Sequence, residues 1–366
     1  MRRVAITGMG AVSPLGAGVR EAWASALSGD TAPRGIDVSR YVTPKEARRL
    51  DPFVQYALAA ASQAIDEAGL GGAELTNSDV IIGSARGGIR TLEDACARRP
   101  GAFTMSASTV GMAASYIAIR YGITGRTLGV SNACASGLYA IGEAYESIRH
   151  GRCAIAIAGG AEAPVCKLAI EGYGRAGVLS RSGIVRPFDA SRDGFVLAEG
   201  AAVMVLEDYE AATARGARIL GEVKGFGASS DASHETAPSA DGQALAIRRA
   251  LSGIEDVSAV FAHATATRLG DRTEARALMD AFSGNVPPVC ALKSMTGHML
   301  GASGAFEAVM AVLALRESAL PPTPTLIDSE FPEIPCSAYA QRIDGNAALC
   351  CSFGFGGTNA ALLIGV

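Results

Sequence analysis

The chain has 366 residues, 49% hydrophobic and 19% charged, with a formal net charge of -4. That balance excludes a basic field able to hold nucleic acid without sequence preference. No run approaches the roughly 18 uninterrupted apolar residues that a membrane-spanning helix requires. The length allows two domains or one large duplicated one around a sizeable core.

The chain opens on Met1-Arg2-Arg3 and an apolar run, but Gly8, Gly10, Pro14 and Gly16 interrupt it too soon for a secretory signal. Residues 4–7 read as a first strand and the glycines after it as a turn. Gly8-Met-Gly10 lacks the third glycine of a dinucleotide fingerprint, having Ser13 there, and no suitably placed acidic residue follows. Both features argue against an NAD-binding oxidoreductase. Alanine-rich amphipathic stretches predict helices at 20–27 and 53–68, and 80–83 predicts a strand. Between those helices Lys45, Arg48 and Arg49 are expected on one helical face. Further strands are expected at 155–158, 201–206, 259–262 and 348–352, with helices at 243–251, 272–282 and 304–316. The alternation argues an α/β architecture in two halves, 1–210 and 211–366, with a loose boundary near 207–220. The eight cysteines show no metal-like spacing and fit a reducing, cytoplasmic setting.

Three segments carry candidate chemistry. In Thr127-Leu-Gly-Val-Ser-Asn-Ala-Cys134-Ala-Ser-Gly137 a β-like stretch runs into the helical pattern of 138–148, placing Cys134 at a strand-to-helix junction. A helix N-terminus carries partial positive charge, so the thiol is expected to ionise more easily than a free one. In Val260-Phe-Ala-His263-Ala-Thr265-Ala-Thr267-Arg-Leu-Gly270-Asp271-Arg-Thr-Glu274 an apolar strand ends in a histidine and a small-residue loop. Strand ends are where α/β folds place ligands. The third is Lys293-Ser-Met-Thr-Gly-His298-Met-Leu-Gly301-Ala-Ser-Gly304, followed by a helix containing Glu307. The other histidines read as bystanders: His234 has no evident step, and His150 sits at a helix C-terminus that favours a cation. Cys153, Cys166 and Cys336 read as packing residues.

Together with Val4-Ala-Ile-Thr-Gly-Met-Gly-Ala-Val-Ser-Pro-Leu-Gly16, Arg186-Pro-Phe-Asp-Ala-Ser-Arg-Asp-Gly-Phe-Val-Leu-Ala-Glu-Gly200 and Ser352-Phe-Gly-Phe-Gly-Gly-Thr-Asn359, these segments resemble the elongating β-ketoacyl synthases of the thiolase-like superfamily. The resemblance covers essentially the whole chain. It implies a five-layered α-β-α-β-α thiolase-like fold built from two similar halves, and a dimer, either with itself or with a ketosynthase-like chain-length factor. Cys134 would take an acyl chain from an acyl carrier protein as a thioester. His263 and His298 would then stabilise the enolate formed as malonyl thioester loses carbon dioxide. A Cys-His-His set resembles the elongating branch, since the initiating branch uses Cys-His-Asn. By the same resemblance Lys293, Glu307, Asp271 and Glu274 support the histidines, with the three carboxylates surrounding the lysine. Thr265 and Thr267 line the substrate arm. The amides of Cys134 and Phe355 hold the oxyanion, Phe355 between Gly354 and Gly356 acts as a gate, and Lys45, Arg48 and Arg49 dock the carrier. No metal or redox cofactor is implied, because phosphopantetheine arrives on the carrier.

The chain departs from the family pattern at Ala264, Ala266 and Arg268, where glycine, serine and proline are usual. The added methyl groups are expected to narrow or reshape the malonyl site. The chain is also short near 33–39 and 86–103, which points to a type II polyketide or polyene role instead of bulk fatty-acid synthesis. The competing expectation is a non-elongating relative, an acyltransferase or a silent partner subunit, although silent partners typically lose the cysteine that this chain keeps.

Overall fold

The computed structural model describes residues 1–254 and 256–366. Its strands are β1 (Val4–Val12), β2 (Asp79–Gly83), β3 (Thr127–Val130), β4 (Ile155–Glu162), β5 (Gly200–Asp208), β6 (Gly221–Ser230), β7 (Ala259–Phe261), β8 (Val289–Cys290), β9 (Ala319–Leu320), β10 (Gln341–Arg342), β11 (Ala347–Gly354) and β12 (Thr358–Gly365). Most of their residues are buried, many of them Ala, Val, Ile or Leu, as strands covered by helices on either side must be. Ten of them hydrogen-bond in the order β3-β2-β4-β5-β1-β6-β12-β11-β7-β8, while β9 and β10 pair apart from the rest.

That order contains a repeat. From the β3 edge the first five strands run third, second, fourth, fifth, first in chain order. From the β8 edge the other five, β8-β7-β11-β12-β6, run in the same sequence within their own segment. Among the described residues the two sets pair only where β1 meets β6, through Val4 with Val223, Ala5 with Glu222 and Ile6 with Gly221.

Between the sets run the helices Ser136–Arg149 and Ser303–Glu317. The second is buried from Ser303 through Leu315, with no polar face, as expected of a helix covered on all sides. Both helices share one hydrophobic core with residues of β1, β4, β5, β7, β11 and β12. The helix Pro52–Ala68 covers the outer face of the first set, and Ala240–Leu251 with Arg268–Ala281 covers that of the second. The layers are therefore α-β-α-β-α.

Gly8 and Gly10 do not form the turn expected of them. Both lie inside β1, which carries a bulge between Ile6 and Gly8. A Cβ at Gly8 would stand 2.0 Å from the Ala64 carbonyl oxygen, and one at Gly10 would stand 1.9 Å from that of Ala60. The glycines are there because the Pro52–Ala68 helix packs directly on the strand backbone. Among the described residues no helix is long and apolar enough to cross a membrane.

Candidate active site

Cys134 follows β3 at the turn into the helix Ser136–Arg149. Ala133, immediately before it, has φ 48°, a left-handed conformation that a non-glycine residue adopts only when its surroundings hold it there. The β11–β12 hairpin supplies that hold, since Thr358 Oγ1 donates to the Asn132 carbonyl at 3.1 Å. Gly354, at the end of β11, presses on the same turn: a Cβ there would lie 2.8 Å from Asn132 O and 3.1 Å from Ala133 Cβ.

His263 ends β7, and His298 lies in the loop before the helix Ser303–Glu317. One donor atom from each of Cys134, His263 and His298 lies within 4.8 Å of the other two. The Cys134 sulfur and His298 Nε2 are 3.1 Å apart, and the imidazole centroids are separated by 5.5 Å. These groups open into a cavity of about 390 Å³ that Thr265, Thr267 and Phe355 also line.

Electrostatics in this pocket run against the expectation of an activated thiolate. Burial pushes the Cys134 thiol up to about 12, against an opposing pull from Lys293. Enclosure by apolar protein outweighs the helix terminus. Burial, and then the charge of Lys293, hold both imidazoles well below 6.5, so both are neutral at physiological pH. A neutral thiol therefore faces a neutral base. His298 Nδ1 lies 3.2 Å from Ser303 Oγ, which also accepts from the Met299 amide. A hydroxyl both donates and accepts, so Ser303 can serve either tautomer of His298. Among the described residues His263 Nδ1 has no partner, though it is buried.

Lys293 pairs with Glu307, Nζ to Oε1 at 2.6 Å, and both are buried. Asp271 and Glu274 lie near enough for the lysine charge to act on them, but neither bonds it. Glu274 instead accepts the amides of His263 at 2.7 Å and Ala264 at 2.6 Å, while Asp271 accepts those of Ala266 and Phe188. They hold the loop that carries His263. Buried amides with no backbone partner need such acceptors, and Ala264 (φ 31°) and Ala266 (φ 62°) make the loop too contorted for a ladder. The alanine methyl groups do not narrow the cavity: both residues are fully buried, and Ala264 packs in the core of the second half.

Thr265 and Thr267 stand side by side, their hydroxyls 3.1 Å apart, and Thr267 also caps the helix Arg268–Ala281. Phe355 is 37% exposed at the cavity mouth, between Gly354 and Gly356, the latter with φ 83°. Lys45, Arg48 and Arg49 are exposed but do not share a helical face. The helix Pro44–Ala47 ends after four residues, Arg48 caps it, and Arg49 lies beyond, its guanidinium 4.2 Å over the Phe103 ring. A capping box from Thr43 starts this helix and Arg48 stops it, so its face is too short to carry all three.

Several contributors were not singled out from sequence. Ser303 is one. Arg192, fully buried, donates to the carbonyls of Thr267 and Arg268 and so orients the threonines. Phe195 and Phe353 pack edge-on against His298 and His263, at 4.9 and 5.9 Å between centroids. The signal for Arg192 and Phe195 was their place in the Arg186 to Gly200 block, but nothing in the spacing says which loop that block reaches. Cys134, His263 and His298 are also the one group among the described residues spaced to hold a metal ion, though the Lys293 charge that acts on all three works against a dication.

The sequence matches the models for the N-terminal domain of beta-ketoacyl synthase over residues 39–212 and for its C-terminal domain over 220–326. It is 37% identical to a 3-oxoacyl-[acyl-carrier-protein] synthase 2 of Rhizobium meliloti, covering 100% of this chain and 99% of that protein. That alignment runs over 418 positions, so the relative carries residues that this chain lacks. The ishigamide ketosynthase/chain length factor superposes with a TM-score of 0.92 at 33% identity, covering 100% of this chain and 99% of that one. A type II PKS acyl-carrier protein in complex with its ketosynthase bound to the hexaketide gives 0.91 at 28% identity, with the same coverage.

Proposed function

Because the chain belongs to the beta-ketoacyl synthase family, we propose that it condenses a Cys134-bound acyl chain with a malonyl group carried on an acyl carrier protein, releasing carbon dioxide and a 3-oxoacyl carrier thioester. The observation that carries this reading is the 3.1 Å contact between the Cys134 sulfur and His298 Nε2, with His263 beside it in the same cavity. In the first half-reaction His298 takes the thiol proton as the sulfur attacks the acyl thioester. The sulfur–acyl bond forms, the pantetheine–acyl bond breaks, and the departing thiolate is protonated. In the second, the malonyl carboxylate leaves as carbon dioxide, and the electron pair it leaves behind becomes an enolate. Neutral imidazoles suit this step, since each offers an N–H to the enolate oxygen without a full charge that would bind the carboxylate too tightly. The enolate carbon attacks the Cys134 thioester, and the Cys134 thiolate leaves and takes a proton from solvent to restore the resting thiol. The amides of Cys134 and Phe355 hold the oxyanion of that addition, and Phe355 gates the chamber, its neighbouring glycines supplying the hinge. Thr265 and Thr267 bond the pantetheine arm. No metal or redox group takes part in any step.

The carrier docks where Lys45, Arg48 and Arg49 are exposed, a surface that suits an acidic partner. The chain dimerises through β3, whose outer edge is unpaired and whose residues from Leu128 to Val130 are only half-buried. The partner is a second copy or a chain-length-factor-like subunit. Eight free cysteines agree with a reducing, cytoplasmic location. The shortened chain and the type II PKS neighbour favour polyketide or polyene synthesis.

The test is intact-mass spectrometry after incubation with acyl carrier proteins. Wild type should gain the mass of the acyl group, and Cys134→Ala should gain none. An adduct that persists in the variant would remove the nucleophile from the scheme, and acyl loading without carbon–carbon bond formation would favour an acyltransferase.

A further inference from the structure

Two side chains that line the cavity hold a buried polar atom with no hydrogen-bond partner among the described residues: His263, which the steps above use, and Gln243, which they do not. Gln243 is 2% exposed, and its unpartnered atom is the carboxamide oxygen Oε1. Such an oxygen accepts, so what it lacks is an N–H or O–H donor. A buried amide left in that state is costly unless a ligand supplies the bond.

The backbone that presents this side chain is fixed. Gln243 lies in the first turn of the helix Ala240–Leu251, its amide donating to the Ser239 carbonyl at 3.1 Å. The Gly242 carbonyl just before it accepts from Ser229 Oγ at 2.6 Å, and Asn359 Nδ2 donates to that same hydroxyl at 3.2 Å. A Cβ at Gly242 would come 2.0 Å from Asp231 Oδ1, so the start of the helix presses directly on this network. Ser229 belongs to β6 and Asn359 to β12, which ties Gln243 to the sheet. A group held in place beforehand loses little freedom when a ligand arrives.

The cavity lining divides by chemistry. Ala176, Val178 and Phe195 are apolar, whereas Gln243 shares its part of the lining with Thr236, Thr265 and Thr267. Thr236 is exposed, and so is the neighbouring Leu269, so the polar part of the lining reaches solvent. An alkyl chain has no donor to offer Oε1. A pantetheine arm enters from solvent with two amide N–H groups along its length, and its hydroxyl lies further out, towards the phosphate that stays with the carrier.

We propose that Gln243 Oε1 accepts a hydrogen bond from one of the two amide N–H groups of the pantetheine arm. The inference rests on the thioester reading of Cys134. It deepens that reading by adding to Thr265 and Thr267 a buried acceptor that selects for an amide in the arm.

The experiment is Cys134 acylation by carrier-free butyryl-pantetheine and by two analogues, each with an ester oxygen in place of one amide N–H, followed as adduct formation by intact mass at subsaturating concentrations. An ester keeps the carbonyl and removes only the donor. Losing a hydrogen bond to a buried acceptor typically slows such a reaction about tenfold. Wild type should therefore acylate about tenfold more slowly with one of the two analogues. In Gln243→Met, which fills similar space with nothing to accept the bond, the natural arm and that analogue should react at the same rate, and Gln243→Leu should behave alike. Each ratio is taken within one preparation, so partial unfolding of a variant cancels, and a residue that only supports the fold would leave the ratio unchanged. Equal rates for the natural arm and both analogues in wild type, or variants that keep the wild-type ratio, would overturn the contact. Absence of any Cys134 adduct from the natural arm in wild type would overturn the thioester reading itself, and this inference with it.

Discussion

Burial drives the Cys134 thiol up and the two imidazoles down, so the nucleophile and both histidines rest uncharged beside the Lys293–Glu307 pair. That neutrality has a kinetic consequence. Decarboxylation needs unprotonated histidines, and with both held well below 6.5 imidazole protonation should not limit its rate at neutral pH. Lys293 contributes to this by opposing a second positive charge nearby. Replacing the buried pair together, Lys293→Met with Glu307→Leu, avoids leaving one ion unpaired. Without the lysine charge the histidines bind protons more readily, so the acid limb of the pH–rate profile should move to higher pH. A limb that stays where it was in wild type would deny Lys293 this electrostatic role. Sequence position alone suggested the opposite balance at Cys134. A strand-to-helix junction is legible from residues 127–148, but the enclosure that outweighs the helix terminus involves segments remote in sequence, such as those of Phe195 and Phe353, which line the same cavity.

At the level of elements the site is a meeting of turns held in shapes that the chain would not adopt alone. Ala133, Ala264 and Ala266 all have positive φ, each at a cost of roughly 1–2 kcal/mol. Glu274 and Asp271 offset that cost in the His263 loop, and the β11–β12 hairpin does so beside Cys134. Gly354→Ala tests the second support. The new methyl group would meet Thr358 Oγ1 at 2.7 Å and Asn132 O at 2.8 Å, a clash that should cost about 1–3 kcal/mol in chemical denaturation and slow Cys134 acylation at least about tenfold. Wild-type acylation in this variant would mean that the hairpin does not set the nucleophile. The motif blocks marked these loops correctly. What they could not reveal is direction: Ala264 and Ala266 sit beside His263 in sequence, yet their methyl groups turn into the core. Asp271 and Glu274 likewise lie within reach of Lys293 by family pattern, but bond the backbone next to His263 instead.

On the scale of the whole molecule, the repeated strand order and the two helices between the sets make one core out of two halves. Trp23, the sole tryptophan, ties them further, its indole donating to Glu317 at 2.7 Å across the seam. Unfolding in urea should therefore be a single transition, with tryptophan fluorescence and far-ultraviolet circular dichroism superimposing. Two separated transitions would show that the halves are independent. The alternation of strand and helix made two α/β halves readable from periodicity. The narrow β1–β6 seam was not readable, since three residue pairs leave no mark in hydropathy. Nor was the glycine pair of β1, which a close helix packing demands and a turn would have explained equally well. The same joining of halves creates the site, because Cys134 comes from the first and both histidines from the second. Release of carbon dioxide from malonyl carrier protein by His263→Ala, measured beside Cys134 acylation in the same preparation, separates the two half-reactions. If the three side chains act on one substrate as placed, release should fall by roughly a hundredfold or more while acylation, which uses His298, changes by only a few fold. Release at the wild-type rate would contradict it.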